Sequence, residues 1–502
     1  MNQLFYGDNL DVLQKYIGDE TVDLCYVDPP FNSKRNYNQI YNNIGKDDIA
    51  QTQAFVDTWE WGHSAELYLD MLRKEPQYTR RLVDTVIGLE KILGKGAMLA
   101  YLVNMAVRFA EIWRVLKRTG SFYVHCDPTA SHYLKIILDS IFCDRGGNFV
   151  NEIIWHYKGN SVPKYCLPRK HDIIFWYSKD KKPRFNPNDV LVPYAELTHK
   201  RYNHVDEQGR RYKISALRNG KQEIVYMKEG KYPDDVWDIP IARGGEQLGY
   251  GTQKPLALLE RIVKAASNEG DVVMDAFCGC GTTVDAAHSL NRKWIGIDIT
   301  SNAVLLIIKR LIDRYGKNIL DDIVISGIPR DIKSARALAN KKDDRLRKEF
   351  EKWAILTYTD NHAKINDKKG SDRGIDGIAY IFGDNMVVFS VKSGNVSVKD
   401  IRDLRGVMER ENAVAGVLLS LEEPTKPMLQ EAVASGYMED IPNSAGLKMP
   451  RQTPKLRIVT IQELLDGARM NLPLTESVVK SAERHKHKGK NQHINFEDDA
   501  NT

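Results

Sequence analysis

Residues 272–298 constrain the fold of this chain most. An apolar run, Val272 to Ala276, reads as a strand. It enters a glycine-rich turn, Asp275-Ala276-Phe277-Cys278-Gly279-Cys280-Gly281-Thr282-Thr283, and the pattern predicts a helix over 283–290. A second strand follows, Trp294-Ile295-Gly296-Ile297-Asp298. A strand, a glycine turn, a helix and a second strand form a βαβ unit, and parallel strands need such a crossover. The fold class is therefore α/β.

The turn also reads as a ligand site. Gly279 and Gly281 permit close backbone approach. Asp298 follows Gly279 by about the ~20 residues that separate a glycine turn from a ribose-binding acid in dinucleotide folds. Asp298 is expected to bind the two hydroxyls of an adenosine ribose. No third glycine stands at dinucleotide spacing, which argues against NAD. Upstream, Thr252-Gln253-Lys254-Pro255 offers a hydroxyl and an ammonium suited to a methionine carboxylate. S-adenosylmethionine (SAM) fits these residues better than a nucleotide phosphate. A plain βαβ turn also carries a lone G-x-G; the ordered set of Lys-Pro, G-x-G and strand-end Asp is more specific.

Near the amino terminus, Val22 to Val27 reads as a short buried strand and runs into Asp28-Pro29-Pro30-Phe31. Ligands of open α/β sheets bind outside the carboxyl ends of the strands. The prolines fix φ and lack donors, so the loop holds a carboxylate and free carbonyls in place beside an aromatic ring. That combination suits a planar base with an exocyclic amino group. A strand-ending turn accounts for the same residues taken alone.

Charge distribution adds a second line. The net charge is +5, and residues 156–246 hold 18 Lys/Arg against 12 Asp/Glu, so that stretch alone exceeds the surplus of the whole chain. Tyr157, Tyr165, Phe175, Trp176, Tyr177, Tyr202, Tyr212 and Trp237 are interleaved with these cations, as in a DNA-contacting insert; a solvated surface is the plainer reading. Length and composition fit a globular enzyme of about two to four domains. No apolar run reaches a membrane span, and Met1 to Tyr6 lacks a signal-peptide core, so the expectation is a cytoplasmic protein without membrane contact. The six cysteines form no C-x-x-C pair and are expected to be reduced and buried.

With these residues assembled, the chain resembles the β-class of amino-group DNA methyltransferases, in which a D-P-P-[YF] motif precedes the cofactor motif and a target-recognition region lies between. The resemblance covers roughly residues 1–315, including Tyr6-Gly7-Asp8-Asn9, Gly120 to Asp127 and Asn151 to Trp155. Two departures are small: Ala276 stands where Pro is frequent, and Gly251 precedes Thr252 where Pro is frequent. The resemblance implies a Rossmann-like, seven-stranded, mostly parallel sheet and direct methyl transfer from SAM to an exocyclic amine of double-stranded DNA. It implies catalytic roles for Asp28, Pro29, Pro30 and Phe31. Asp8, Thr252, Lys254, Pro255, Asp275, Phe277, Gly279, Gly281, Thr282 and Asp298 would line the cofactor pocket, although a structural turn accounts nearly as well for Asp8. Asp at the first motif position leans toward adenine N6, since family members acting on cytosine N4 more often carry Ser. His125 and Asp127 read as structural. Family members often dimerise.

A second, smaller α/β segment follows. Asp376, before one apolar run, and Lys392, at the end of the next, resemble the core of restriction-endonuclease-like folds. There an acid binds Mg²⁺ and the lysine, not itself a ligand, helps to activate water. Ser390 stands where a metal-binding Glu or Gln is usual, and Glu349 or Glu351 is the candidate replacement. A domain kept for DNA binding, or for contact with a restriction subunit, is the competing reading. The expected boundaries are 1–155 for the catalytic part, 156–250 for the recognition insert, 251–318 for the SAM-binding part, 335–468 for the nuclease-like domain and 476–502 for a disordered basic tail around Arg484 to Lys490.

Overall fold

A computed structural model describes residues 1–30, 61–159, 163–216, 221–248, 252–329, 331–340, 344–359, 362–366, 374–381, 385–438 and 453–470. Phe31, Gly251 and the basic tail lie outside the described residues.

The chain opens with β1 (Asn2–Tyr6), β2 (Val22–Val27), β3 (Leu116–Cys126), β4 (Asn148–His156) and β5 (His171–Ser178). A small separate sheet follows, made of β6 (His204–Val205), β7 (Arg211–Ala216) and β8 (Gln222–Tyr226). Then come β9 (Val236–Asp238), β10 (Val272–Asp275), β11 (Lys293–Asp298) and β12 (Ile323–Ser326). These build a nine-stranded main sheet in the order β12-β1-β11-β10-β2-β3-β5-β4-β9. All neighbours from β12 to β3 are parallel, and β5 runs antiparallel to both β3 and β4.

The expected seven strands are thus flanked by two more. β12 adds to one edge and β9 to the other. The expected insert 156–250 is therefore not separate from the core: β5 lies within it and buries Phe175, Trp176 and Tyr177 in the main sheet rather than offering them to DNA, and Val236–Asp238 pairs with β4 and buries Trp237. The cause is local: Trp237 anchors against Ile239 and the strand faces, and its indole N–H donates to the Asp234 carbonyl at 2.8 Å.

Strand sequence decides what each sheet face covers, since successive side chains alternate. Leu24 and Tyr26 of β2 enter one core with the helices Leu256–Ala266 and Ser301–Tyr315. Cys25 and Val27 enter the other with the helices Ala97–Val115 and Ser131–Phe142. All six residues of β2 are buried, as expected for a central parallel strand covered on both sides. Ala97–Val115 is apolar on nearly every face and is accordingly engulfed. It ends at Val115 because Leu116 already pairs with Val22.

The second unit is a five-stranded sheet, β13 (Lys364–Ile365), β14 (Gly377–Ile381), β15 (Asn385–Lys392), β16 (Ala415–Ser420) and β17 (Leu456–Thr460), in that order. Val388 packs toward the helix Val398–Glu411, and Val387, Phe389 and Val391 face the other way. That second face carries the helix Asp344–Tyr358, whose Phe350, Trp353 and Ile355 belong to the same apolar cluster as Leu24 and Tyr26. The two sheets therefore share a core. Among the described residues no helix is long and apolar enough to cross a membrane.

Candidate active site

Parallel register brings the sequence motifs to one edge. Asp275 of β10 lies opposite Tyr26 of β2, and Tyr6 of β1 lies opposite Asp298 of β11. The Asp28 loop and the glycine turn consequently leave adjacent strands on the same, carboxyl side. Asp172, second in the antiparallel β5, stands at that edge beside the end of β3.

Gly279 and Gly281 have φ of 51° and 75°, the left-handed region that favours glycine. A Cβ on Gly281 would lie 2.7 Å from Ile307 Cγ1, so the turn also demands glycine for space. Its carboxylates are tied to it. Asp275 accepts from the Phe277 N–H at 2.9 Å and from the Thr283 hydroxyl at 2.6 Å. Burial pushes its pKa up to about 7 in spite of those bonds. Asp298 accepts from the Gly279 N–H at 2.8 Å and from the Thr300 N–H and hydroxyl, both at 2.9 Å. Burial raises its pKa to about 6. A carboxylate offers about four acceptor sites. Three are taken, so Asp298 has room for one ligand hydroxyl unless Thr300 turns away.

Sequence reasoning missed the support beneath this turn. Arg310, 2% exposed, donates to the Cys280 carbonyl at 2.8 Å and to the Thr282 hydroxyl at 3.0 Å. It pairs with buried Asp285 at 3.1 Å. Thr282 therefore faces Arg310 in the protein interior. Asp8 likewise has a partner that local pattern does not reveal. It caps the helix Asn9–Tyr16 through the Leu10 N–H at 2.8 Å and takes both bonds from Arg108 Nη2, at 3.0 and 2.9 Å. Arg108 also holds Asn9, whose side chain donates to the Ala276 carbonyl at 2.7 Å.

Asp28 follows β2 directly. Its Oδ2 is paired with the Lys254 ammonium, and both side chains are largely enclosed. Its Oδ1 is buried without a hydrogen-bond partner among the described residues. Pro29 is buried beside it. Lys254 sits on a loop fixed by Gln253, which accepts from the Leu248 N–H at 2.9 Å and donates to the Glu246 carbonyl at 2.6 Å. Leu248 packs on Cys280 of the glycine turn. Thr252 is exposed, and Pro255 caps the helix Leu256–Ala266.

Under the Asp28 loop lies a buried polar chain. The Tyr26 hydroxyl meets His125 Nδ1 at 2.9 Å, and His125 Nε2 meets Asp172 Oδ2 at 3.1 Å. The Tyr157 hydroxyl donates to Asp172 Oδ1 at 3.4 Å. Burial opposes ionisation of Asp172, yet His125, with the Lys254 charge and the Tyr157 bond behind it, holds the carboxyl below its usual range. Burial and the nearby Asp28 charge keep the Tyr26 hydroxyl protonated. Asp127 accepts from the Thr129 and Ala130 N–H groups in a local turn. Of the cysteines, Cys25, Cys126, Cys278 and Cys280 are buried, Cys143 and Cys166 are exposed, and all are free.

In the second sheet, Asp376 Oδ2 accepts from the Val391 N–H at 2.7 Å, which holds it beside Ser390. The Lys392 ammonium is 4.0 Å from Asp400. Glu349 points elsewhere, accepting from Tyr6 at 3.4 Å and pairing with Lys352 at 3.1 Å. Among the described residues no three His, Cys, Asp or Glu gather in a way that would hold a metal. One carboxylate and one hydroxyl are a poor donor set for Mg²⁺.

Residues 22–309 match the family model described as DNA methylase, and residues 346–439 match that described as restriction endonuclease. DNA adenine methyltransferase YhdJ of Escherichia coli (strain K12) is 27% identical over 312 residues, 61% of this chain and 82% of that protein. Type II methyltransferase M1.MboII of Moraxella bovis is 32% identical over 197 residues, 38% of this chain and 71% of that protein. Among solved structures, PvuII DNA methyltransferase, described as cytosine-N4-specific, aligns at 16% identity and a TM-score of 0.35 over 61% of this chain and 85% of that one.

Proposed function

Because the chain belongs to the DNA methylase family matched by residues 22–309, we propose that it methylates the exocyclic N6 of adenine in double-stranded DNA, with SAM as methyl donor. The observation that carries this reading is the adjacency of two strand ends: the Asp28 loop after β2 and the Gly279–Gly281 turn after β10. A base acceptor and a nucleoside cradle are thereby brought side by side.

The residues present fit the donor. The turn holds Gly279 and Gly281 in the left-handed backbone region that favours glycine, so no side chain stands over its backbone at those two positions, and Asp298 stands at the end of the next strand. Gly279 and Gly281 would take its backbone-close part and Asp298 a ribose hydroxyl. Phe277, Pro255 and Thr252 would line the approach, and Lys254 would meet the methionine carboxylate. Asp275, Thr282 and Asp8 would act by holding the turn and its neighbours in shape. When bound, SAM supplies an electrophilic methyl group on a sulfonium.

The target adenine must leave the duplex stack to reach this pocket. Asp28 and the Pro29 carbonyl accept hydrogen bonds from its amino group, and Phe31 stacks on its ring. These contacts orient the nitrogen lone pair and favour the positive charge that grows on nitrogen as the methyl arrives. The amine becomes acidic only then, so Asp28 need not be a strong base. The exposed sheet β6–β8 supports a DNA-facing role for the insert: Lys213 lies 5.2 Å from the Tyr202 ring centroid and Arg210 4.5 Å from that of Tyr226.

The test is to incubate the chain with DNA and methyl-labelled SAM and to identify the labelled nucleoside. N6-methyladenine is expected. N4-methylcytosine would overturn the base assignment, and the absence of any methylated base would overturn the reading.

A second reading adds DNA cleavage by the restriction-endonuclease-like unit, in one restriction-modification system. The match over 346–439 and the placement of Asp376 near Ser390 favour it. The carboxylate of Asp376 and the hydroxyl of Ser390 do not make a Mg²⁺ site by themselves.

A further inference from the structure

The Lys254–Asp28 pair sets an order of events that the motifs alone do not. It links residues 226 positions apart, and the side chains are only 11% and 17% exposed. The ammonium is an N–H donor on the same carboxylate that would receive the amino group of a base. The other oxygen, Oδ1, is buried and has no donor among the described residues. An amine on the Asp28 carboxylate lacks the full positive charge of the ammonium, so it binds there more weakly and does not by itself displace the ammonium. The loop that carries Lys254 is anchored through Gln253 and rests on Cys280 of the glycine turn. The long flexible lysine stem can therefore swing while its backbone stays fixed. The ammonium is paired with Asp28, and its charge also reaches Asp172.

We propose that Lys254 is a gate between the two half-sites. Its ammonium is paired with the Asp28 carboxylate, and it would leave that acceptor by swinging to the amino-acid carboxylate of a bound methyl donor. The donor therefore binds before the base is captured. The proposal rests on the methyltransferase reading above and deepens it, making Lys254 a positioning residue that acts through Asp28.

The experiment uses the full chain and a duplex carrying 2-aminopurine at the methylated position, whose fluorescence rises when the base leaves the stack. Two probes are compared at saturation, each verified by calorimetry: S-adenosylhomocysteine, which keeps the amino-acid carboxylate, and 5′-methylthioadenosine, which lacks it. The wild-type chain should give a several-fold rise with S-adenosylhomocysteine and none with 5′-methylthioadenosine or without ligand. Lys254→Met should give the rise in all three conditions. A wild-type rise without ligand, or an equal rise with both probes, overturns the gate even if the variant fails to fold. A Lys254→Met protein that still requires the carboxylate also overturns it. Failure of the underlying reading is seen separately, as absence of label in the methyl-incorporation assay.

Discussion

The Tyr6 hydroxyl donates to Glu349 Oε2 at 3.4 Å, joining the first strand to a helix 343 positions later. Burial and the Glu349 charge keep that hydroxyl protonated. Tyr6 is also the register partner of Asp298, so the restriction-endonuclease-like unit docks directly behind the proposed cofactor edge.

The shared core predicts shared unfolding. Ending the chain at residue 330 removes Phe350, Trp353 and Ile355 from the cluster that also holds Leu24 and Tyr26. Each buried side chain of this kind is worth about 1.5–3 kcal/mol. The full chain should unfold in urea in one cooperative transition, and the truncated chain should unfold at clearly lower urea. Two separated transitions, or an unchanged midpoint after truncation, would contradict the shared core.

Arg310 should support donor binding without touching the reaction. Arg310→Met keeps the stem and removes the bonds to Cys280 and Thr282. Breaking a buried pair costs about 3–5 kcal/mol, and Asp285 keeps Arg314 and Tyr315, so about 3 is expected. Steady-state kinetics should show a raised KM for the methyl donor with kcat largely kept. A fall in kcat at unchanged KM would be the opposite outcome.

Asp275 makes stability depend on pH. Its folded pKa of about 7 lies above the unfolded value of ~3.9. In that window the folded chain binds more protons than the unfolded one. The group's favourable contribution is full below about pH 4 and is lost as pH rises through 7. Three pKa units correspond to a loss on the order of 4 kcal/mol. Asp275→Asn should therefore gain on the wild type between pH 5 and pH 8 in urea unfolding. Parallel stabilities across that range would refute the assignment.

Lys392 should be separable from methyl transfer. It ends β15 in the second sheet, 4.0 Å from Asp400. Lys392→Ala is expected to leave the rate of methyl incorporation unchanged. Plasmid nicking in Mg²⁺, if the unit cleaves, should disappear in the same variant; a drop in methylation instead would show that the second sheet serves the first.

Much of the site is legible locally. The β2 strand with its Asp-Pro-Pro exit, the glycine turn and the strand-end Asp298 are read from alternation, turn chemistry and spacing, because each is formed within about thirty residues. What stays hidden is long-range pairing. Arg108 with Asp8, Arg310 with Cys280, His125 with Asp172 and Lys254 with Asp28 join distant segments, and no local pattern announces a partner on another strand. Lys254 illustrates the difference: its charge suggested an anionic ligand, and the structure adds the carboxylate that holds it meanwhile. The edge strands β9 and β12 escaped for a related reason, being short and recruited by the sheet rather than by their own pattern.

In the proposed reaction the Asp28 loop receives the amine while the glycine turn holds the donor. Single-turnover methyl transfer by Asp28→Ala at saturating SAM, with donor affinity measured by calorimetry on the same preparation, tests it most directly. Loss of an acceptor that acts on the developing charge should slow transfer by about 10²–10³-fold or more while donor affinity stays close to that of the wild type. Transfer at the wild-type rate, or a loss explained entirely by weakened SAM binding, would contradict the account.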